Sequence, residues 1–190
     1  MTVTTLDEKS ALVVIDLQNG IVASPTQPST AGEVVARTAA LADAFRARGS
    51  LVVLVRVSHA PDGSDAAPGR VDVVRPARPR PEGWDHVVDE LAGHPEDVVV
   101  TKRNWGAFYG TDLDLQLRRR GITQIVLTGI ATSMGVESTA RAAHEHGYHV
   151  VVVSDAVADM DLANHERAVA AIFPRLGQVG TADEVLALLR

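Results

Sequence analysis

Asp16 follows four consecutive apolar residues, Leu12, Val13, Val14 and Ile15, and opens the polar run Asp16-Leu17-Gln18-Asn19. A carboxyl group emerging from a buried strand into a partly dry crevice can have its pKa raised by several units, whereas an adjacent lysine lowers it by about one to three. Lys102, in Thr101-Lys102-Arg103-Asn104-Trp105, ends another apolar run and is the lysine to pair with it. The two effects are comparable, so the sign of the shift stays open. Asp16 serves as a base when Lys102 is unpaired, or as an acid once a substrate carboxylate takes up the lysine's charge. The competing readings are a cap or turn residue for Asp16 and a strand-ending lysine reaching for water for Lys102. A third stretch, Thr128-Gly-Ile-Ala-Thr-Ser-Met-Gly-Val-Glu-Ser-Thr-Ala140, reads as a strand end, a turn of small residues and a helix start. α/β enzymes set reacting atoms against backbone N–H groups at such places. Gly135 stands where this turn would present a nucleophile, in a chain with no cysteine.

The elements that must hold these residues follow from periodicity. Continuous β-branched runs at 11–15, 51–57, 98–100, 125–127 and 150–153 read as strands covered on both faces. Between the first two, Val34, Val35, Thr38, Leu41, Ala42 and Phe45 follow helical spacing, and Gly49 supplies a stop. Further helices are expected at 111–121, 135–147 and 161–173. A short strand near Gln178-Val179 and a last helix opened by the capping box Thr181-Ala-Asp-Glu184 complete the pattern. Alternation of strands and helices predicts an α/β fold with a parallel sheet and helices on both faces. With 190 residues, 46% of them apolar and 22% charged, one domain spanning 1–190 is expected.

Residues 59–83 break the alternation. They hold five of the nine prolines and four arginines, Arg70, Arg75, Arg78 and Arg80. Loops of this length inside a compact domain are usually functional or disordered, and the two readings here are a solvated excursion and a lid or subunit-contact arm whose arginines meet an anion. Elsewhere, Trp105, Phe108 and Tyr109 place three of the seven aromatics beside Lys102, a combination suited to a planar anion. Core packing would also account for them.

Composition narrows the function. A formal net charge of −6 with scattered basic residues argues against a nucleic-acid surface. No apolar stretch approaches the roughly 20 residues of a membrane span, and the first residues lack a signal-peptide pattern, so a cytoplasmic protein without a membrane partner is expected. The absence of cysteine excludes disulfides and thiolate metal sites.

Asp16 in Asp-Leu-Gln-Asn, Lys102 in Lys-Arg-Asn-Trp-Gly-Ala-Phe-Tyr-Gly-Thr, the 128–140 run and Val153-Ser-Asp-Ala-Val-Ala-Asp159 together resemble the isochorismatase-like hydrolases, in order and over nearly the whole chain. The resemblance implies a Rossmann-like six-stranded sheet of order 3-2-1-4-5-6, a cis peptide at Ile130-Ala131, and a pocket near a subunit interface in a homodimer or higher homo-oligomer. Amidase members, the nicotinamidases and carbamoyl amidohydrolases, use an Asp-Lys-Cys triad. Asp16 and Lys102 match its first two members, and Gly135 replaces the third. Isochorismatases proper are similar in carrying glycine there: their acid protonates a vinyl ether carbon and no covalent intermediate forms. The resemblance thus assigns catalysis to Asp16, Lys102 and Gly135. It assigns binding of a small anionic substrate to Gln18, Trp105, Phe108, Ala131, Thr132, Ser133 and Met134, with the N–H groups of Ala131 and Gly135 pointing at the substrate. Ala131 and Ser133 depart from the aromatic-histidine pair of true isochorismatases, and the flanking Val-Glu-Ser-Thr-Ala-Arg is closer to the amidase branch. Two alternatives therefore remain: an amide or carbamoyl hydrolase using water or a surrogate nucleophile such as Ser133, and a retired member that only binds a ligand.

Nicotinamidases hold a divalent ion with an Asp-x-His element and a further histidine. Here Val57-Ser-His59 keeps one histidine, Asp62 and Asp65 lie on a loop, and His144 and His146 fall on different helix faces. No metal and no cofactor are expected.

Overall fold

The computed structural model describes residues 1–66, 69–73 and 80–189. Six parallel strands form one sheet of order β3-β2-β1-β4-β5-β6. They are β1 (Ser10–Ile15), β2 (Leu51–Val57), β3 (Val98–Lys102), β4 (Gln124–Ile130), β5 (His149–Ala158) and β6 (Gln178–Gly180). The helices are α1 (Asn19–Val22), α2 (Ala31–Ala47), α3 (Leu113–Arg119), α4 (Glu137–Glu145), α5 (Leu162–Arg167), α6 (Phe173–Leu176) and α7 (Ala182–Leu188). This is the expected three-layer arrangement and the expected strand order.

β1 shows why continuous apolar runs were needed. Its six residues are all buried, and alternate side chains enter opposite layers. Leu12 and Val14 pack with α2 and α7 residues such as Phe45 and Val185. Val13 and Ile15 pack with Leu117 of α3, Ala140 of α4 and Phe173 of α6. Thr30 caps α2 by accepting from Glu33 N while the Glu33 carboxylate accepts from Thr30 N, and Thr181 and Glu184 repeat the box on α7.

Several boundaries differ from the periodicity reading. β5 runs on through Ala158, well past Val153, because its far half repairs with β4 after a register shift between Leu127 and Gly129. The third helix begins as a π-helical turn, Thr132–Val136, before α4 proper. The helix expected at 161–173 likewise contains a π-helical stretch, Ala168–Ile172, and extends to Leu176. α1 carries no apolar periodicity and is held by tertiary contacts.

No described residue of 59–83 belongs to a helix or strand. Arg75 and Arg78 lie outside the described residues; Arg70 and Arg80 are described and exposed. Segment 83–88 is pinned across the end of β1: Asn19 N donates to His86 O, Gly20 N to Trp84 O and Val88 N to Leu17 O, at 2.8 to 3.1 Å. Among the described residues, no helix is long and apolar enough to cross a membrane.

Candidate active site

In a sheet of this order the crevice opens between the carboxyl ends of β1 and β4, where successive crossovers turn to opposite sides. β1 reaches that point at Ile15, and the next residue, Asp16, has a left-handed backbone (φ 55°), a conformation uncommon outside glycine and held here by Asp16 N donating to Val55 O at 2.9 Å. The turn lets Gln18 fold back onto β2. Its Oε1 accepts from Val57 N at 2.8 Å, and its Nε2 donates to Val57 O at 3.0 Å and Trp84 O at 3.5 Å.

Lys102, the last residue of β3, reaches under this turn. Its Nζ donates to Asp16 Oδ2 at 2.7 Å and to the Asn104 carbonyl at 3.2 Å. Asp16 is 6% exposed and Lys102 2%. Burial pushes the Asp16 carboxyl up to about 6, against the opposing pull of the Lys102 charge and hydrogen bond. The open question from sequence is thereby answered: desolvation outweighs the lysine. Oδ1, the other carboxyl oxygen, is buried and has no hydrogen-bond partner.

β4 arrives beside β1 through Gly129, whose φ is 122° and whose position a Cβ could fill only by lying 2.0 Å from Ile15 O. No other residue permits so close an approach. The Ile130-Ala131 peptide is cis, after which the π-helical turn begins. Met134 N and Val136 N both donate to Ala131 O, and Ser133 N donates to Asp159 Oδ2 at 2.7 Å. Gly135 is buried, and a Cβ built on it would lie 3.2 Å from Asp16 Oδ2 and 2.8 Å from Ile15 Cγ2. A side chain at 135 would therefore point at the Asp16–Lys102 pair.

The remaining expected residues divide by position. Trp105 is 62% exposed, its carbonyl 3.5 Å from the Gly135 Cβ position, so it stands at the rim. The Phe108 ring stacks on His146 at 5.0 Å and lies 5.9 Å from Tyr148, within the α3–α4 layer. Ala131 is buried, and Ser133 and Met134 are partly buried. Thr132 is fully buried, its Oγ1 2.9 Å from His165 Nδ1.

Four supporting residues escaped the sequence reading. Thr139 Oγ1 accepts from Ala107 N at 3.1 Å and donates to Gly135 O at 2.7 Å, tying the aromatic loop to the turn. Asp159 holds Ser133 N while its own backbone pairs with Gln27. His165, whose pKa burial pulls below the usual histidine value, braces Thr132. Glu137 sits between Arg141 and Arg167, each at 3.0 Å. Asp159, Glu137 and Thr139 lie inside the 153–159 and 128–140 motifs, whereas His165 lies in neither; each of the four has a partner distant in sequence.

The residues at the nicotinamidase metal position do not fit a divalent ion. His59 has Asp65 for a neighbour but also feels the charges of Arg80, Arg103 and Lys102. Among the described residues, no three His, Asp or Glu side chains gather closely enough to hold a metal.

A family model described as the Isochorismatase domain matches residues 10–184. An isochorismatase family protein of Escherichia coli O157:H7, YecD, is 48% identical over 177 residues, 93% of this chain and 94% of that protein. The structure of an isochorismatase family protein from Burkholderia thailandensis superposes with a TM-score of 0.93 at 56% identity, covering 97% of each chain. N-carbamoylsarcosine amidase from Thermoplasma acidophilum superposes at 0.76 with 30% identity, covering 92% of this chain and 97% of that one.

Proposed function

The chain belongs to the isochorismatase family of hydrolases, and from that premise we propose that it cleaves a small anionic vinyl ether, isochorismate or an analogue, without a covalent intermediate. The observation that carries this reading is the empty vector at Gly135, aimed at a buried aspartate whose carboxyl is pushed up to about 6. Carbon protonation needs an acid near that value and has no use for a thiol.

The steps balance as follows. Asp16, protonated on Oδ1, gives its proton to the terminal CH2 carbon of the vinyl ether, whose π electrons form the new C–H bond. The resulting oxocarbenium ion takes a water oxygen, which loses a proton to the Asp16 carboxylate. The hemiketal then breaks its bond to the ring oxygen as its hydroxyl proton is passed to that oxygen, releasing pyruvate and the ring alcohol. Lys102 holds Asp16 through Oδ2 and supplies positive charge for a substrate carboxylate, which in turn favours the protonated acid. Ser133, Met134 and Val136 spend their N–H groups on the protein; the N–H groups of Ala131 and Gly135 we assign to substrate oxygen on the strength of the family resemblance. Trp105, Ala131, Ser133 and Met134 line the crevice, while Gln18, Phe108 and Thr132 hold its walls from behind.

Asp16→Asn keeps the shape and removes the acid. Incubated with isochorismate, the wild-type protein should release pyruvate and the variant should do so at least 100-fold more slowly; equal inertness at enzyme concentrations near substrate would reject the assignment. We also take the protein to be a homodimer or higher oligomer, since Trp105 and Tyr109 are 62% and 78% exposed on one loop.

The amidase resemblance favours a second reading, amide hydrolysis by water, through the 30% identity to N-carbamoylsarcosine amidase. It is the weaker reading because an amide nitrogen is a poor leaving group, and its displacement calls for an activated nucleophile that position 135 does not provide.

A further inference from the structure

Beside the reacting pair lies a cationic group of side chains that the proposed chemistry does not use. Arg103 follows Lys102, and Ser58 N donates to Lys102 O at 3.2 Å, which brings His59 alongside. The His59 side chain is 11% exposed, and its Nδ1 is buried without a hydrogen bond. Burial first, then the charges of Arg80, Arg103 and Lys102, hold this imidazole below its usual pKa. The group facing it is Asp65: Oδ2 accepts from Arg103 Nε at 2.5 Å, and Oδ1 lies 3.7 Å from His59 Nδ1, too far for a hydrogen bond.

Asp65 reaches this position on a short turn with its own internal hydrogen bonds. Ala60 N donates to Asp65 Oδ1 at 2.7 Å, Gly63 N to Ala60 O, Ala66 N to Gly63 O and Ser64 N to Asp62 Oδ1. The residues 61–66 are exposed, and none packs into either core layer. Arg103 and Asp65 are themselves 41% and 34% exposed at the side chain, so their pair contributes little to holding the turn down.

We propose that Arg103 and His59 form a carboxylate-binding subsite at the mouth of the crevice, and that Asp65 is an internal carboxylate occupying it until a substrate carboxylate takes its place. A ligand carboxylate seated between the two can accept from Arg103 Nε and, in the tautomer with its proton on Nδ1, from the histidine nitrogen that Asp65 leaves unmet. The inference rests on the proposed function in placing the reacting centre at Asp16, and it narrows the substrate class: a second carboxylate, or a single one remote from the reacting atoms, is read by Arg103. An internal plug also reduces the apparent affinity by the fraction of time it occupies the subsite.

Binding measured without turnover separates this claim from the chemistry. Benzoate, with neutral benzamide as its isostere, is titrated calorimetrically into the wild-type protein, Asp65→Asn and Arg103→Gln, with circular dichroism confirming that each is folded. Removal of the plug should tighten benzoate roughly fivefold to tenfold. Arg103→Gln should weaken it by about tenfold or more, and neither change should alter the response to benzamide. His59→Gln, which retains a donor, should weaken benzoate less than Arg103→Gln does. Benzoate affinity within twofold across all four proteins, equal shifts for benzamide, or no measurable benzoate binding by any of them would overturn the subsite. Loss of pyruvate release in Asp16→Asn with these benzoate responses intact would support both proposals. Normal responses with no wild-type turnover would reject only the reaction.

Discussion

Asp16 concentrates the chemical argument in one carboxyl group. Its two oxygens have different work: Oδ2 is held by Lys102 at 2.7 Å, and Oδ1 is buried and unbonded. Because burial raises the carboxyl to about 6, the protonated acid predominates below that pH and is lost as the pH rises through it. Pyruvate release at low substrate should therefore fall with increasing pH, with an apparent pKa near 6 in kcat/KM, and a flat profile from pH 5 to 8 would contradict the role of acid. Gly135 makes a second expectation at this scale. A Cβ there would lie 2.8 Å from Cγ2 of the buried Ile15 and 3.2 Å from Asp16 Oδ2, so Gly135→Cys requires Ile15 to shift and then places sulfur beside the pair. Mass spectrometry after exposure to an N-carbamoyl amino acid should then show an acyl adduct on the variant and none on the wild type; an unmodified variant would show that the surroundings no longer support thiolate attack.

At the scale of elements, the site depends on side chains that bridge backbone ends. Gln18 satisfies both the N–H and the carbonyl of Val57, stitching the end of β1 to the end of β2 where the ladder stops. Gln18→Leu takes the amide partner from both part-buried groups, and urea denaturation should show a loss of about 2 kcal/mol. An unchanged midpoint would mean that water replaces the amide. Such bridges explain where sequence reading stopped. Apolar runs locate five of the six strands and the short strand near Gln178-Val179 is the sixth, while motif order singles out Asp16, Lys102 and Gly135 as candidates. Nothing local in the chain reveals that Gln18 is spent on Val57, that Phe108 stacks away from the crevice, or that His165 braces Thr132 across 33 positions. Those are long-range side-chain contacts, and helical or strand periodicity carries no record of them.

The whole molecule brings β1, β3 and β4 to one edge, so that residues 16, 102 and 135 meet although 119 positions separate the first from the last. The same construction leaves Trp105 and Tyr109 on the outside of the rim, and sedimentation of the intact protein should give a mass at least twice the 20.2 kDa of one chain. A monomer at micromolar concentration would remove the subunit contact from the account. The central claim, proton transfer from Asp16 to carbon, is tested most directly by letting the protein act on isochorismate in D2O and recording the NMR spectrum of the pyruvate as it forms. The account predicts one deuterium per methyl group from the wild type and negligible product from Asp16→Asn; wild type that makes no pyruvate, or a variant that makes it equally fast, would contradict it.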